Sequence, residues 1–241
     1  MKKLLFALFL IFAPAPAHAA YSLITAGHGC TTAAGTSGSL DTTGGDIIFF
    51  LCESYTGGTA CTVSDSKSNT WNTAPPTTQT AAGLTRLQLY YAKNANVGTS
   101  HTFTVSSASY ATSCVAAFSG SDTSSPYDQE AGSTVASGMT VTPGSVTPTT
   151  DNQIVISGMA GNFNNTLSVD SGFTIIDQIQ YVPFFSTALS YKIQTTAAAV
   201  NPVWTWVTSG DAAALNATFK SSGGAAPAPK RLMTLGAGEG Q

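Results

Sequence analysis

Apolar side chains along this chain fall in short bursts. Ile47-Ile48-Phe49-Phe50-Leu51, Leu87-Gln88-Leu89-Tyr90-Tyr91, Thr102-Phe103-Thr104-Val105, Cys114-Val115-Ala116-Ala117-Phe118, Ile154-Val155-Ile156 and Val203-Trp204-Thr205-Trp206-Val207 are rich in β-branched and aromatic residues, and Gly, Asn, Pro and Ser separate them. Runs of this kind, bounded by turn formers, read as strands. No window long enough for a helix, about 12 residues, carries a capped 3.6-residue period. The pattern predicts an all-β chain of about ten to twelve strands.

The bursts also recur in order. The stretch from Asp46-Ile47-Ile48 to Ala116-Ala117-Phe118-Ser119 is answered by the one from Asn152-Gln153-Ile154-Val155 to Ala217-Thr218-Phe219-Lys220. Inside it, Val63-Ser64-Asp65-Ser66 matches Val169-Asp170-Ser171, Leu89-Tyr90-Tyr91-Ala92-Lys93 matches Leu189-Ser190-Tyr191-Lys192, and Thr102-Phe103-Thr104-Val105 matches Val203-Trp204-Thr205-Trp206. The offset drifts from about 107 to about 100 positions, as in a duplicated unit altered by loop insertions and deletions. Each copy, about 46–120 and 152–220, holds too few strands to cover its own apolar face. The connection carries apolar positions of its own, Val135, Met139, Val141 and Val146, and is expected to be ordered. The expectation is a single β-sandwich of jelly-roll type over residues 20–220, built from two diverged internal repeats that share a core.

The ends of the chain differ from its middle. Met1-Lys2-Lys3, the apolar run Leu4 to Phe12 and Ala17-His18-Ala19 read as a signal peptide over residues 1–19. Residues 221–241 read as a flexible Gly/Ala/Pro-rich tail, and its segment Lys230-Arg231-Leu232-Met233-Thr234-Leu235-Gly236 is a candidate docking peptide. No later run is long and apolar enough for a membrane span, so a secreted or periplasmic protein is expected. Cys30, Cys52, Cys61 and Cys114 form an even set, which in an exported chain points to two disulfides. Three connectivities are open; Cys52 with Cys61 across the turn Tyr55-Thr56-Gly57-Gly58, leaving Cys30 with Cys114, is the favoured one. The 9 basic residues include Lys2 and Lys3, which leaves 7 against 12 acidic residues. Nucleic acid is therefore not an expected partner, because it is bound through clustered Lys and Arg. No metal or cofactor is expected: His28 and His101 stand apart, with no CxxC or HExxH spacing.

Asp65-Ser66-Lys67-Ser68-Asn69-Thr70-Trp71 is the most distinctive local string, and its Asp and Asn suit a hairpin turn better than a calcium loop. That string, followed by Tyr90-Tyr91-Ala92, by the segment Gly98 to Val105 and by the strand Ala116 to Gly120, resembles a widespread group of exported bacterial and phage-encoded β-sandwich proteins, related in shape to concanavalin-like and jelly-roll domains. The resemblance covers residues 46–135 and, more loosely, the second copy. It implies a sandwich and carries no catalytic residue.

Chemistry is thinly represented. Glycosidases of sandwich shape need two carboxylates across a cleft, and before the tail the chain offers Glu53 and Glu130, with Asp128 beside the latter, in no paired pattern. A serine nucleophile would want a GxSxG elbow, which is missing. Aromatic side chains remain. Trp204 and Trp206 share a strand face but alternate like core, whereas Trp71, Tyr55, Tyr181 and Phe184 lie beside turns and Pro183, where rings are expected at the rim. These four are the candidate ligand-binding residues. The expected function is a non-catalytic module that attaches to glycan or another surface; a structural component of a phage virion or surface assembly is the alternative, and a glycoside hydrolase has least support.

Overall fold

The computed structural model describes residues 20–31, 35–55, 61–73, 79–81, 85–106, 110–181 and 185–223. The expected leader, and the tail beyond residue 223, lie outside them. Among the described residues the chain is all β and has no helix. Its first half forms β1 (Ser22–Thr31), β2 (Gly35–Thr36), β3 (Ile47–Tyr55), β4 (Thr62–Asp65), β5 (Asn72–Thr73), β6 (Gln79–Ala81), β7 (Thr85–Lys93), β8 (Phe103–Ser106) and β9 (Ala111–Ser119). The second half forms β10 (Tyr127–Val141), β11 (Gln153–Gly161), β12 (Ser168–Val169), β13 (Thr174–Tyr181), β14 (Phe185–Gln194) and β15 (Trp204–Phe219).

Two antiparallel sheets face each other. One runs β1-β9-β3-β7-β5, with β6 also on β7; the other runs β10-β15-β11-β14-β13, with β12 also on β15. The order is the same in both: β3 sits between β9 and β7 as β11 sits between β15 and β14. Each half of the chain thus completes a sheet of its own. That path departs from the expected jelly roll, in which the strands pass back and forth between the two sheets. Hydrophobic periodicity sets which face of a strand is buried but not which strand it pairs with.

The core explains the strand sequences. Alternate residues of β3, namely Ile47, Phe49 and Leu51, pack against Ile154, Ile156, Leu189, Leu215 and Phe219 of the opposite sheet. The intervening residues Ile48, Phe50 and Cys52 pack on the other side against Phe103 and Val105, because the small sheet β2-β8-β4 covers that face. A strand buried on both faces reads as a continuous apolar run, and β3 does. The second sheet is covered on its outer face as well. There β10 and β15 bend back over it, with Gly138 opposite Gly210 at the bend and Val141 opposite Trp204 beyond it. A Cβ on Gly210 would meet the Phe163 ring at 2.8 Å, so the bend needs glycine there. Trp204 and Trp206 are buried in this outer layer, in keeping with their alternation.

The disulfides are Cys30–Cys114, which joins β1 to β9, and Cys52–Cys61. This is the favoured connectivity, and it suits an oxidising compartment. No helix among the described residues is long and apolar enough to cross a membrane.

Candidate functional site

The two ends of the sandwich differ. At one end both termini of the described chain meet: the Tyr21 hydroxyl donates to the Lys220 carbonyl at 2.7 Å, and Ser121 bridges to Ser221. Side-chain carboxylates cap the loops at this end. Asp46 accepts from the backbone N–H groups of Gly120 and Ser121, Asp151 from that of Ala197, and Asp170 from that of Val203.

The other end is aromatic. Residues 47, 49, 51, 53 and 55 alternate toward the opposite sheet, so Tyr55 closes the inner face of β3, as Phe185 does on β14 two positions before Thr187. Their ring centroids lie 5.2 Å apart. Phe185 stacks on Tyr181 at 6.3 Å, and Tyr181 lies 6.0 Å from Tyr110, whose carbonyl accepts the Tyr55 N–H. The four rings form a path from the buried Phe185, through the half-buried Tyr55 and Tyr181, to Tyr110, which is 59% exposed. Met139 and Val207 flank the bend at Gly138 and Gly210 at this same end, and with Tyr110 they are the exposed large hydrophobic residues among those described.

Directly beneath the rings sits Glu53, fully enclosed. Its Oε2 lies 2.7 Å from the Thr112 hydroxyl on β9 and 2.6 Å from the Thr187 hydroxyl on β14, while the two hydroxyls are 2.5 Å from one another. Oε1 has no hydrogen-bond partner among the described residues. Burial pushes this carboxyl up to about 7, against the opposing pull of Thr187 and Thr112.

The structure separates the other expected site residues. Trp71 lies near the opposite end, on the outer face of the first sheet, edge-on to Phe50 and Phe103. Its indole N–H donates to Asp65 at 2.8 Å. Asp65 also accepts from the backbone of Lys67 and Asn69 and from His101 Nε2, and His101 Nδ1 shares a hydrogen bond of 2.9 Å with Thr42. The Thr42-His101-Asp65 order looks like a catalytic relay. The His101 and Asp65 side chains are wholly buried, however, and the Thr42 hydroxyl is occupied by the Gly98 backbone, so the string knots a turn to the small sheet. Phe184 lies outside the described residues, and Phe185 and Tyr110 take part where the sequence reading did not name them. That Phe185 points inward follows from strand parity, which is set by the pairing of β14.

Glu130 and Glu53 do not approach as a catalytic pair. Glu130 is level with Ala217 and Ile156, whereas Glu53 touches Thr187, which is level with Ala160. Four residues of strand separate these levels, about 13 Å, before any lateral distance is added. Burial raises Glu130, opposed by Tyr127; at Asp128 burial is outweighed by the backbone and hydroxyl of Thr149, and the carboxyl is lowered. Among the described residues no group of three or more His, Cys, Asp or Glu side chains is placed to hold a metal ion. Comparisons with protein-family models, with curated proteins and with solved structures find no match to this chain.

Proposed function

We propose that this protein is an exported, non-catalytic binding module whose contact surface is the aromatic end of the sandwich, and that its ligand is a glycan. The observation that carries the reading is the clustering of Tyr110, Tyr181, Tyr55 and Phe185 at the end opposite both termini. Ring faces and phenol hydroxyls suit the alternating C–H and O–H groups of a sugar, and they need no charge to do so. The capped end, where both termini leave, is the natural place for attachment to whatever carries the module, with the tail at 224–241 as the link.

Two arguments weigh against catalysis at this end. Paired carboxylates in glycosidases stand about 5 to 9.5 Å apart, which the levels of Glu53 and Glu130 exceed. Glu53, the acid nearest the rings, is closed off by Thr112 and Thr187.

Screening the purified protein against an array of neutral and acidic glycans tests the reading. Binding should appear for the wild type and fall about 2- to 12-fold or more in Tyr110→Ala, the range a lost ring stack corresponds to. Trp71→Ala, at the other end, should bind as the wild type does if it remains folded. If no glycan binds and the protein co-purifies with assembled particles instead, the proposal is wrong and the structural alternative replaces it.

A further inference from the structure

The contact between Glu53, Thr112 and Thr187 has three edges, each 2.5 to 2.7 Å long. An oxygen–oxygen contact that short is held by a proton; without one, two lone pairs face each other. Thr112 and Thr187 have one hydroxyl proton each, so they can occupy two of the three edges. The third proton must come from the carboxyl. With Glu53 as the neutral acid, Thr112 donates to Glu53 Oε2, the carboxyl O–H on that same oxygen donates to Thr187, and Thr187 donates to Thr112, closing a ring in one direction. The unpartnered Oε1 agrees with this count. As the C=O of a neutral acid it carries no formal charge and costs less to leave unmet, whereas a carboxylate would leave half its charge on a buried oxygen that no donor meets.

The ring also ties the sheets together. Glu53 and Thr112 belong to the first sheet and Thr187 to the second, and Tyr55 and Phe185 stand two residues from Glu53 and Thr187 on the same inner faces. We propose that Glu53 is a proton-dependent clamp between the two sheets, closed while it is the neutral acid and opened, with loosening of the aromatic end above it, when its proton is lost.

The surroundings bring no counter-charge that would favour the ionised form. The inner faces of β9 and β11 carry no titratable group beyond the disulfide-bonded Cys114. Neighbouring strands contribute Tyr55 from β3 itself, Tyr91 from β7, Tyr191 from β14, Tyr181 and Asp177 from β13, and Asp211 from β15. Asp177 is engaged by the Cys30 N–H; of the two cations on β7, Arg86 alternates with Leu87 toward the opposite face of the sheet, and Lys93 stands at the far end of the strand, level with Ile47, where it donates to the Ser124 carbonyl. Burial, with no cation to offset it, governs the site.

In the unfolded chain this carboxyl titrates at its ordinary value of 4.5, and in the folded protein at about 7. Between those values the folded protein holds a proton that the unfolded chain has lost. Stability from the clamp is therefore complete below the window, falls as pH rises through it, and levels off above. From pH 5 to pH 8 the folding constant should drop about 70-fold through this group alone.

Equilibrium unfolding of the mature protein across that range, beside Glu53→Gln, is the test. The variant should lose that part of the pH dependence, and amide protection relative to the intrinsic, base-catalysed exchange rate at residues 53–55, 110–112 and 185–187 should fall with pH in the wild type only. Carboxyl NMR on protein labelled with 13C-glutamate gives a second measurement that does not need the variant to fold. One glutamate should titrate near neutrality and keep doing so in both Glu130→Gln and Glu239→Gln, which assigns it to Glu53. Identical stability profiles in wild type and Glu53→Gln, or no glutamate titrating above pH 6 in Glu130→Gln, would overturn the proposal.

Discussion

Gly158 faces Leu51 across the two sheets, and replacing it with alanine tests how tightly the core between them is packed. It lies on the inner face of β11, paired with Leu189 on one side and Leu215 on the other. A Cβ there would stand 2.6 and 2.8 Å from the two methyls of Leu51 and 3.3 Å from its Cγ. Carbon atoms in contact prefer about 3.5 to 4 Å, so Leu51 must move. It is completely buried in the central core and has little room to do so. Overpacking of this kind costs about 1–3 kcal/mol, while the stiffer unfolded chain of the alanine variant returns about 0.4–1 kcal/mol. Gly158→Ala should therefore destabilise by about 1–2 kcal/mol. Leu51→Ala alone should cost about 2–5 kcal/mol through its cavity. The double variant should be more stable than the sum of the two by about 1 kcal/mol or more, since each change makes space for the other. Denaturant unfolding at fixed pH with disulfides intact measures all three, as shifts of midpoint at constant slope. If Gly158→Ala is as stable as the wild type, or if the two changes are additive, the proposed approach of Gly158 to Leu51 is wrong.

Two further outcomes follow from the same framework. The Cys30–Cys114 bond closes a loop of 84 residues and Cys52–Cys61 one of 9; on loop entropy, replacing the first pair with alanines should cost about 4–5 kcal/mol and the second about 2–3 kcal/mol, an order that the unfolding midpoints of the two variants will check. Residues 20–126 expressed alone should aggregate, because Phe49, Leu51, Leu89 and Phe118 would lose the sheet that covers them; a monomeric, cooperatively unfolding fragment in ultracentrifugation and thermal melts would contradict the shared core.

Much of the strand layout was legible because burial leaves a plain mark. β3, β9 and β11 are covered on both faces, and their runs of Ile, Val, Phe and Ala say so. Other elements carry weaker marks. β10 is an edge strand whose segment Gly132-Ser133-Thr134 alternates little, so it read only as an ordered connection. β15 read as separate runs because Ala212-Ala213-Ala214 has no polar partner to set a period, although a single strand bends there at Gly210. Jelly-roll topology was expected where each half builds its own sheet, since the choice of partner strand rests on long-range packing. At the site, Tyr55 and Tyr181 were findable as rings beside turns. Tyr110 was not, because it precedes its strand and its neighbour Tyr181 is 71 positions away. Trp71 met the same rule as Tyr55, yet its indole N–H is taken by an Asp six residues earlier, a bond that the turn string contains but that only the folded turn makes visible.

The two ends of the sandwich cap their loops with different side chains, carboxylates at one and neutral groups at the other. Loops at the terminal end are long, among them 120–126, 142–152 and 195–203, and Asp46, Asp122, Asp151 and Asp170 each accept loop N–H groups there. At the opposite end neutral side chains do the capping, Asn165 accepting from the Val207 and Thr208 N–H groups and Ser186 from that of Asn165, and the carboxyl of Glu53 beneath the rings is turned inward and closed by two hydroxyls. Exposed apolar area without a partner is a cost that a folded protein avoids unless something else covers it. Termini at one end and a ring path leading to the exposed Tyr110 at the other suit the proposed module, held from behind and meeting its ligand in front. Glu53 supports that path, because its ring both fastens the sheets and sets the floor on which Tyr55 and Phe185 rest.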